Sequence, residues 1–236
     1  MLAVLCLLVV IFITPILFII MNSFKGKLYI SDNPFNWPSG DMFAGLENYT
    51  EGIRKTGFFA AFGWSAFITV GSVLVIVLFT SMTAWYITRV KTRLSNTLYY
   101  LFVFSMVVPF QMVMFTMSKL ADMLKLNNPV GMIFLYLGFG AGLSVFMFCG
   151  FVKSIPLEIE EAAMIDGCTP IQTFFQIVMP ILKPTAITVA ILNAMWVWND
   201  YLLPYLVIGV STPYKTIPVA VQYLMGSYGA KDYGSM

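Results

Sequence analysis

Four of the eleven acidic residues of this chain fall within fourteen positions, Ser154 to Gly167, between two long apolar stretches. Three of them, Glu158, Glu160 and Glu161, lie close enough together to suggest acid–base chemistry or a divalent-cation site. Neither reading finds its remaining parts. The chain has no His, which removes the commonest general base and a frequent metal ligand. No cysteine pair or second carboxylate cluster offers to complete a shell. There is no Gly-x-x-x-x-Gly-Lys-Ser/Thr run, so nucleotide binding by a P-loop is excluded too. What an acidic segment can still do is recognise a partner. Glu158 and Glu161 are three apart and Glu161 and Ile165 four apart, so on a helix they share a face. Ala162 and Ala163 are small enough to let another surface approach. Such a helix suits a socket whose Arg side chains would meet the carboxylates in charge-assisted bonds. The plainer alternative is an amphipathic loop helix lying at a membrane interface.

The surrounding residues specify how this segment folds. Pro156 fits a first helical turn, where its missing N–H costs nothing, and Glu158, Glu160 and Glu161 then sit near the positive end of the helix dipole. Gly167 can adopt the left-handed conformation that closes a helix. Thr169 offers an N-cap, with Pro170 at the first helical position and Gln172 completing a capping box. Pro180 is expected to end this second helix by displacing residue 179 from the α region. The segment therefore reads as two short helices joined at one glycine, within a polar loop over 153–184.

The rest of the chain is far more apolar. Hydrophobic residues make up 59% and charged residues only 10%, with a mean hydropathy of +0.85, which excludes a soluble domain. A bilayer span needs about 20 apolar residues. Runs near 2–21, 60–87, 98–117, 131–152 and 185–209 qualify, and Phe58 to Trp64 reads as an interfacial helix before the second. The first run lacks a basic leader and a small-residue cleavage site, so it reads as a membrane helix and not a signal peptide. With no linker or repeat, residues 1–236 read as one transmembrane domain. Three cysteines make no disulfide framework, and Cys6, Cys149 and Cys168 read as small hydrophobes.

Polar groups inside the spans are sparse and therefore informative. Asn193, Asn199 and Asp200 interrupt the fifth run, and an acid embedded in a span marks function by default. Pro204 implies a kink whose freed carbonyls a wet cavity could satisfy. Gln111 lies beside Pro109 in the third run. These four polar residues read either as lining a translocation pathway or as gluing helices together. A proton relay would need more ionisable partners in the other spans. Charge leaves orientation open: loop 88–97 concentrates Arg89, Lys91 and Arg93, yet the longer loops of the opposite side carry more basic residues in total.

Glu161-Ala162-Ala163, Gly167, Ile177 and Pro180 resemble the EAA loop of membrane subunits of binding-protein-dependent ABC importers, with Met179 in place of the usual Leu before the proline. Asn22-Ser23-Phe24-Lys25, Gly45-Leu46-Glu47-Asn48-Tyr49, Pro109-Phe110-Gln111 and Trp198-Asn199-Asp200 are similar to the carbohydrate-uptake, MalG-like branch. The resemblance implies an all-α polytopic transmembrane bundle of the type I ABC importer permease fold, about five spans present and the expected sixth missing by truncation. It implies that loop 153–184 faces the cytoplasm, with loop 88–97 on the same side. There Glu158, Glu161, Ala162, Ala163, Asp166 and Gly167 would form the coupling helix that docks on the ATPase. It further implies a multi-pass protein of the bacterial inner membrane that is itself no enzyme and binds no cofactor. ATP and Mg would be used by two partner ABC ATPase subunits. The other partners would be a second permease subunit and an extracytoplasmic solute-binding protein touching Tyr228 and Gly229; no nucleic acid is involved. A sugar or oligosaccharide is the expected solute. A polyamine or glycerol phosphate, or an ion-coupled carrier, are the alternatives.

Overall fold

The computed structural model describes residues 1–209 and 212–224, and those residues are helical apart from loops and one isolated antiparallel bridge, Lys25 to Phe43. They divide into two compact units, residues 1–63 with 216–224, and residues 64–209 with 212–215.

In the first unit, α1 (Leu2–Ser23) is followed by α2 (Lys27–Asp32) and α3 (Glu47–Thr56). None of α1's apolar window is buried within the chain, as expected of a helix solvated by lipid or by another helix. Just past its end, the Lys25 ammonium is fully enclosed and donates to Asn22 Oδ1 at 2.8 Å, Asn33 O at 2.8 Å and Pro34 O at 3.2 Å. Burial pushes its pKa below the ordinary lysine value. Asn48, from α3, donates to Ser23 O at 2.9 Å and Lys25 O at 2.7 Å, and the Tyr49 and Ser23 hydroxyls meet at 2.5 Å. Two of the short motifs that carry the resemblance, 22–25 and 45–49, therefore form one knot.

Helix α4 (Phe58–Arg89) runs unbroken for 32 residues, about 48 Å at 1.5 Å per residue. That exceeds a hydrocarbon core of about 30 Å. The separate interfacial helix expected at Phe58–Trp64 is instead the first turns of this one helix. α5 (Arg93–Ser105), capped by the Thr92 side chain, and α6 (Phe110–Met123) were expected as one span over 98–117 but meet at a 107° bend. Pro109 causes it: its φ of −64° and ψ of 137° set the chain extended before α6.

α7 (Pro129–Val152) is the central helix of the second unit, with 56% of its apolar window buried against 28% for α4. Small residues let its neighbours close in. A Cβ on Gly140 would stand 2.7 Å from both Asn193 Oδ1 and Ile76 Cδ1, and one on Gly142 would stand 2.5 Å from Ser105 Oγ.

The loop that follows carries α8 (Leu157–Ile165), then α9 (Pro170–Thr173), a π-helical stretch Phe174–Val178 and α10 (Met179–Ile181). Pro180 does not stop the helix where expected. Met179 stays helical at φ −61° and ψ −41°. The widened π turn before it accommodates a residue that lacks an N–H and would crowd the carbonyl four residues back. The chain bends by 76° only at Leu182, into α11 (Lys183–Asn199). The fifth run is also not continuous over 185–209: Asp200 is extended at φ −72° and ψ 125°, and the helix restarts as α12 (Leu202–Pro204) with a π stretch Tyr205–Gly209. A short α13 (Ile217–Val221) and a 3-10 turn over Gln222–Leu224 close the described chain. Among the described residues, three helices are long and apolar enough to cross a membrane, or up to five if each bent pair counts as one span.

Candidate functional site

The hairpin α8–α10 takes its shape from local chemistry. Pro156 stands one position earlier than expected, as the N-cap of α8 with extended ψ, and Glu158 and Glu160 occupy the first turn. At the other end Gly167 has φ +90°; its N–H reaches Met164 O at 3.1 Å, and the Cys168 N–H reaches Ala163 O at 3.0 Å. This paired closure is a Schellman turn, which a side chain at Gly167 would strain. The Thr169–Gln172 capping box forms as expected, with Thr169 N–H donating to Gln172 Oε1 at 2.8 Å.

The hairpin has one anchored face and one open face. Glu160, 2% exposed, is the anchor. Its Oε1 accepts from Arg89 Nη2 at 2.6 Å and Nε at 2.9 Å, and its Oε2 accepts from Trp85 Nε1 at 2.9 Å. Arg89 Nη2 also donates to Ile155 O at 3.0 Å, just beyond the end of α7. Ala163 is buried on the same side. Phe174, Val178 and Leu182 enter the cluster formed by Ala84, Ile87, Phe148 and Val152, and Phe174 lies 5.5 Å ring to ring from Trp85.

Glu158, Glu161, Ala162, Asp166 and Gly167 are exposed, together with Ile165 at 86% and Met164 at 51%. Five of the six residues expected on a docking face are therefore open to solvent, whereas Ala163 is spent on internal packing. Sequence reasoning noticed Glu160 but gave it no part of its own. The usable signal was Arg89 and Trp85, four apart near the end of α4 and thus on one helix face.

The polar residues of the spans separate into two pairs. Asn193 is buried; its Nδ2 donates to Ser144 Oγ at 3.1 Å and to Val189 O at 2.9 Å, joining α11 to α7. Asp200 accepts from the Tyr136 hydroxyl at 2.9 Å and, through its other oxygen, from the Leu202 N–H at 3.0 Å. It thereby ties the helix break to α7 and holds the first N–H of the restarted helix. Asn199 and Gln111 are exposed, each beside one of the two breaks. Both breaks border one apolar cluster, in which Phe110 and Met117 pack with Tyr136, Leu203, Val207 and Ile208. The Ser118 hydroxyl reaches across to Leu206 O at 3.0 Å. Tyr228 and Gly229 lie outside the described residues. Among the described residues, no group of three His, Cys, Asp or Glu side chains converges.

Residues 76–230 match the family model described as "Binding-protein-dependent transport system inner membrane component". The chain is 40% identical over 216 residues to the probable starch degradation products transport system permease protein AmyC of Thermoanaerobacterium thermosulfurigenes, covering 92% of this chain and 77% of that one. It is 34% identical over 228 residues to the multiple sugar-binding transport system permease protein MsmG of Streptococcus mutans, covering 95% and 80%. It is 30% identical over 191 residues to the melibiose/raffinose/stachyose import permease protein MelC of Bacillus subtilis, covering 79% and 67%. A solved chain from a bacterial ABC transporter involved in the import of the acidic polysaccharide alginate shares its fold, with a TM-score of 0.78 over 99% of this chain and 86% of that one at 18% identity.

Proposed function

Since the chain belongs to the inner-membrane components of binding-protein-dependent transport systems, we propose that it is a permease subunit of an ABC importer for a sugar or oligosaccharide. The solute class rests on the relatives named for starch degradation products, multiple sugars and melibiose, raffinose and stachyose. The observation that carries the mechanism is the two-faced hairpin: α8 is fixed to its own bundle through Glu160 and Ala163, while Glu158, Glu161, Ala162 and Asp166 face outward. A helix rooted on one side and open on the other suits a lever between a motor and a gate. Two ATPase subunits would grip the open face from the cytoplasm, and their nucleotide-driven closure would displace the hairpin. Such a lever works only if the grip binds the two conformations of the permease unequally. A second permease chain completes the pathway, and an extracytoplasmic binding protein delivers the solute. This chain supplies the route and carries out no hydrolysis; ATP and Mg belong to the ATPase partners.

Within the route, Gln111 and Asn199 are the pathway candidates, because each leaves an exposed amide at a helix break. Asn193 and Asp200 serve to hold α11 and the helix break against α7. The test is reconstitution of the complex in proteoliposomes with its binding protein. ATP-dependent accumulation of a maltooligosaccharide or raffinose-type sugar is expected, and cysteine at Ile165 should cross-link to an ATPase subunit. Uptake of a polyamine instead, or uptake that ignores ATP and follows an ion gradient, would refute the solute assignment or the whole reading respectively.

A further inference from the structure

The anchored face of α8 is built from more than packing. A carboxylate with almost no solvent contact receives three N–H bonds from two side chains one helical turn apart on α4, and the guanidinium supplying two of them also bonds the carbonyl of Ile155. The end of α4, the end of α7 and the first turn of α8 thus meet at one point. The Glu160–Arg89 contact joins residues seventy-one apart in sequence. A buried pair of this kind is weak evidence for stability, since apolar residues of similar volume often serve as well. Its planar fork does fix direction, which apolar packing does not.

We propose that Arg89, Glu160 and Trp85 form a rigid strut that makes α8 move as one body with the end of α4. A displacement imposed on the open face of α8 would then be delivered to the 32-residue helix α4 and not dissipated by hinging in the loop. These are positioning residues, acting through α8 and touching neither nucleotide nor solute. The proposal rests on the docking reading above and adds the path by which force leaves the docking helix. Without a rigid link, α8 could rock on its two flanking turns, at Ser154–Pro156 and Gly167. With the link, only a motion shared with α4 keeps the carboxylate bonded.

The test uses the assembled transporter in nanodiscs, with the three native cysteines replaced by alanine and nitroxide labels at Ile159→Cys on α8 and Tyr86→Cys on α4, both exposed positions outside the docking residues. Pulsed electron resonance reads the label separation with and without trapped nucleotide, and uptake per ATP hydrolysed is measured on the unlabelled complex. The strut predicts one separation in both nucleotide states. Glu160→Gln, which keeps the shape and removes the charge, should give a separation that shifts with nucleotide. It should also lower uptake per ATP about tenfold, within the usual range of coupling between sites, while the ATPase subunits still co-purify. Should that variant fail to assemble, Arg89→Lys carries the same two readings, because an ammonium keeps the charge and loses the fork. A wild-type separation that changes with nucleotide overturns the strut. So does an assembled variant whose separation and uptake per ATP both match the wild type. The docking reading fails on a different result, the absence of any cross-link from position 165 to an ATPase, which the label distances do not depend on.

Discussion

Lys25 and Arg89 are both cations drawn into the protein, and the two units hold them in opposite ways. Lys25 is satisfied by neutral oxygens three to nine residues away in sequence, so it ties a loop to the helix that precedes it. Arg89 is satisfied by a carboxylate seventy-one residues away and joins helices that folding must first bring together. Removing the first cation leaves carbonyls that water can reach through an exposed loop. Removal of the second strands a buried negative charge. The local knot can thus be altered piecemeal, whereas the distant pair works only when both members are present.

The sharpest way to break this contrast is Arg89→Met. It should destabilise the second unit by about 3–5 kcal/mol, the usual consequence of leaving one partner of a buried pair alone. Thermal unfolding in detergent would read it, and the double substitution Arg89→Met with Glu160→Met should recover most of the loss. Lys25→Met should cost about 1–2 kcal/mol in the same assay, because it removes hydrogen bonds without orphaning a charge. Equal losses at the two sites would erase the distinction. Gly167→Ala sits between them in kind, since it disturbs the hairpin's backbone and not its charges. A left-handed residue with a Cβ costs about 1–2 kcal/mol, read as lower thermal stability, with proteolytic nicking at the α8–α9 turn as the local probe.

The smallest expected effect is electrostatic and lies in the first unit. The Lys55 ammonium, 2.7 Å from Glu51, together with Lys27 at 3.5 Å, holds that carboxyl below its ordinary pKa. A depressed folded-state value means that the contribution is complete above the unfolded pKa of Glu51 and fades as pH falls through the folded one. Lys55→Met should therefore lower the melting temperature slightly at neutral pH and leave it unchanged below the folded pKa of Glu51, which flattens the acid side of the profile. The exposed geometry and salt screening keep the effect small.

Much of this arrangement was legible in the residues, for reasons that differ by element. The hairpin could be read because its signals are local: Gly167, Thr169 and Gln172 act on backbone within a few positions of themselves. The long apolar runs were legible because composition alone sets span length. A kink at Pro109 was legible but not its sharpness, and the break at Asp200 and the π turn before Pro180 were not, because a proline can stop, kink or be absorbed, and tertiary packing decides which. At the site, the open face was legible from acidic and small residues, but the burial of Ala163 was not. Glu160 was missed as an anchor because three glutamates in four positions look alike until something far away in sequence selects one. The same holds for Asn193 and Asp200, whose partners Ser144 and Tyr136 belong to another helix.

The long separation between Arg89 and Glu160 also orders events on the ribosome. At about 5–20 residues per second, the arginine is made roughly 4 to 14 s before its glutamate. During that interval its guanidinium must find temporary partners, and lipid phosphates at the headgroup layer are the nearest acceptors for a long cationic side chain at a helix end. Closure of this pair therefore waits on α8, and α11, which Asn193 bonds to α7, is made later still.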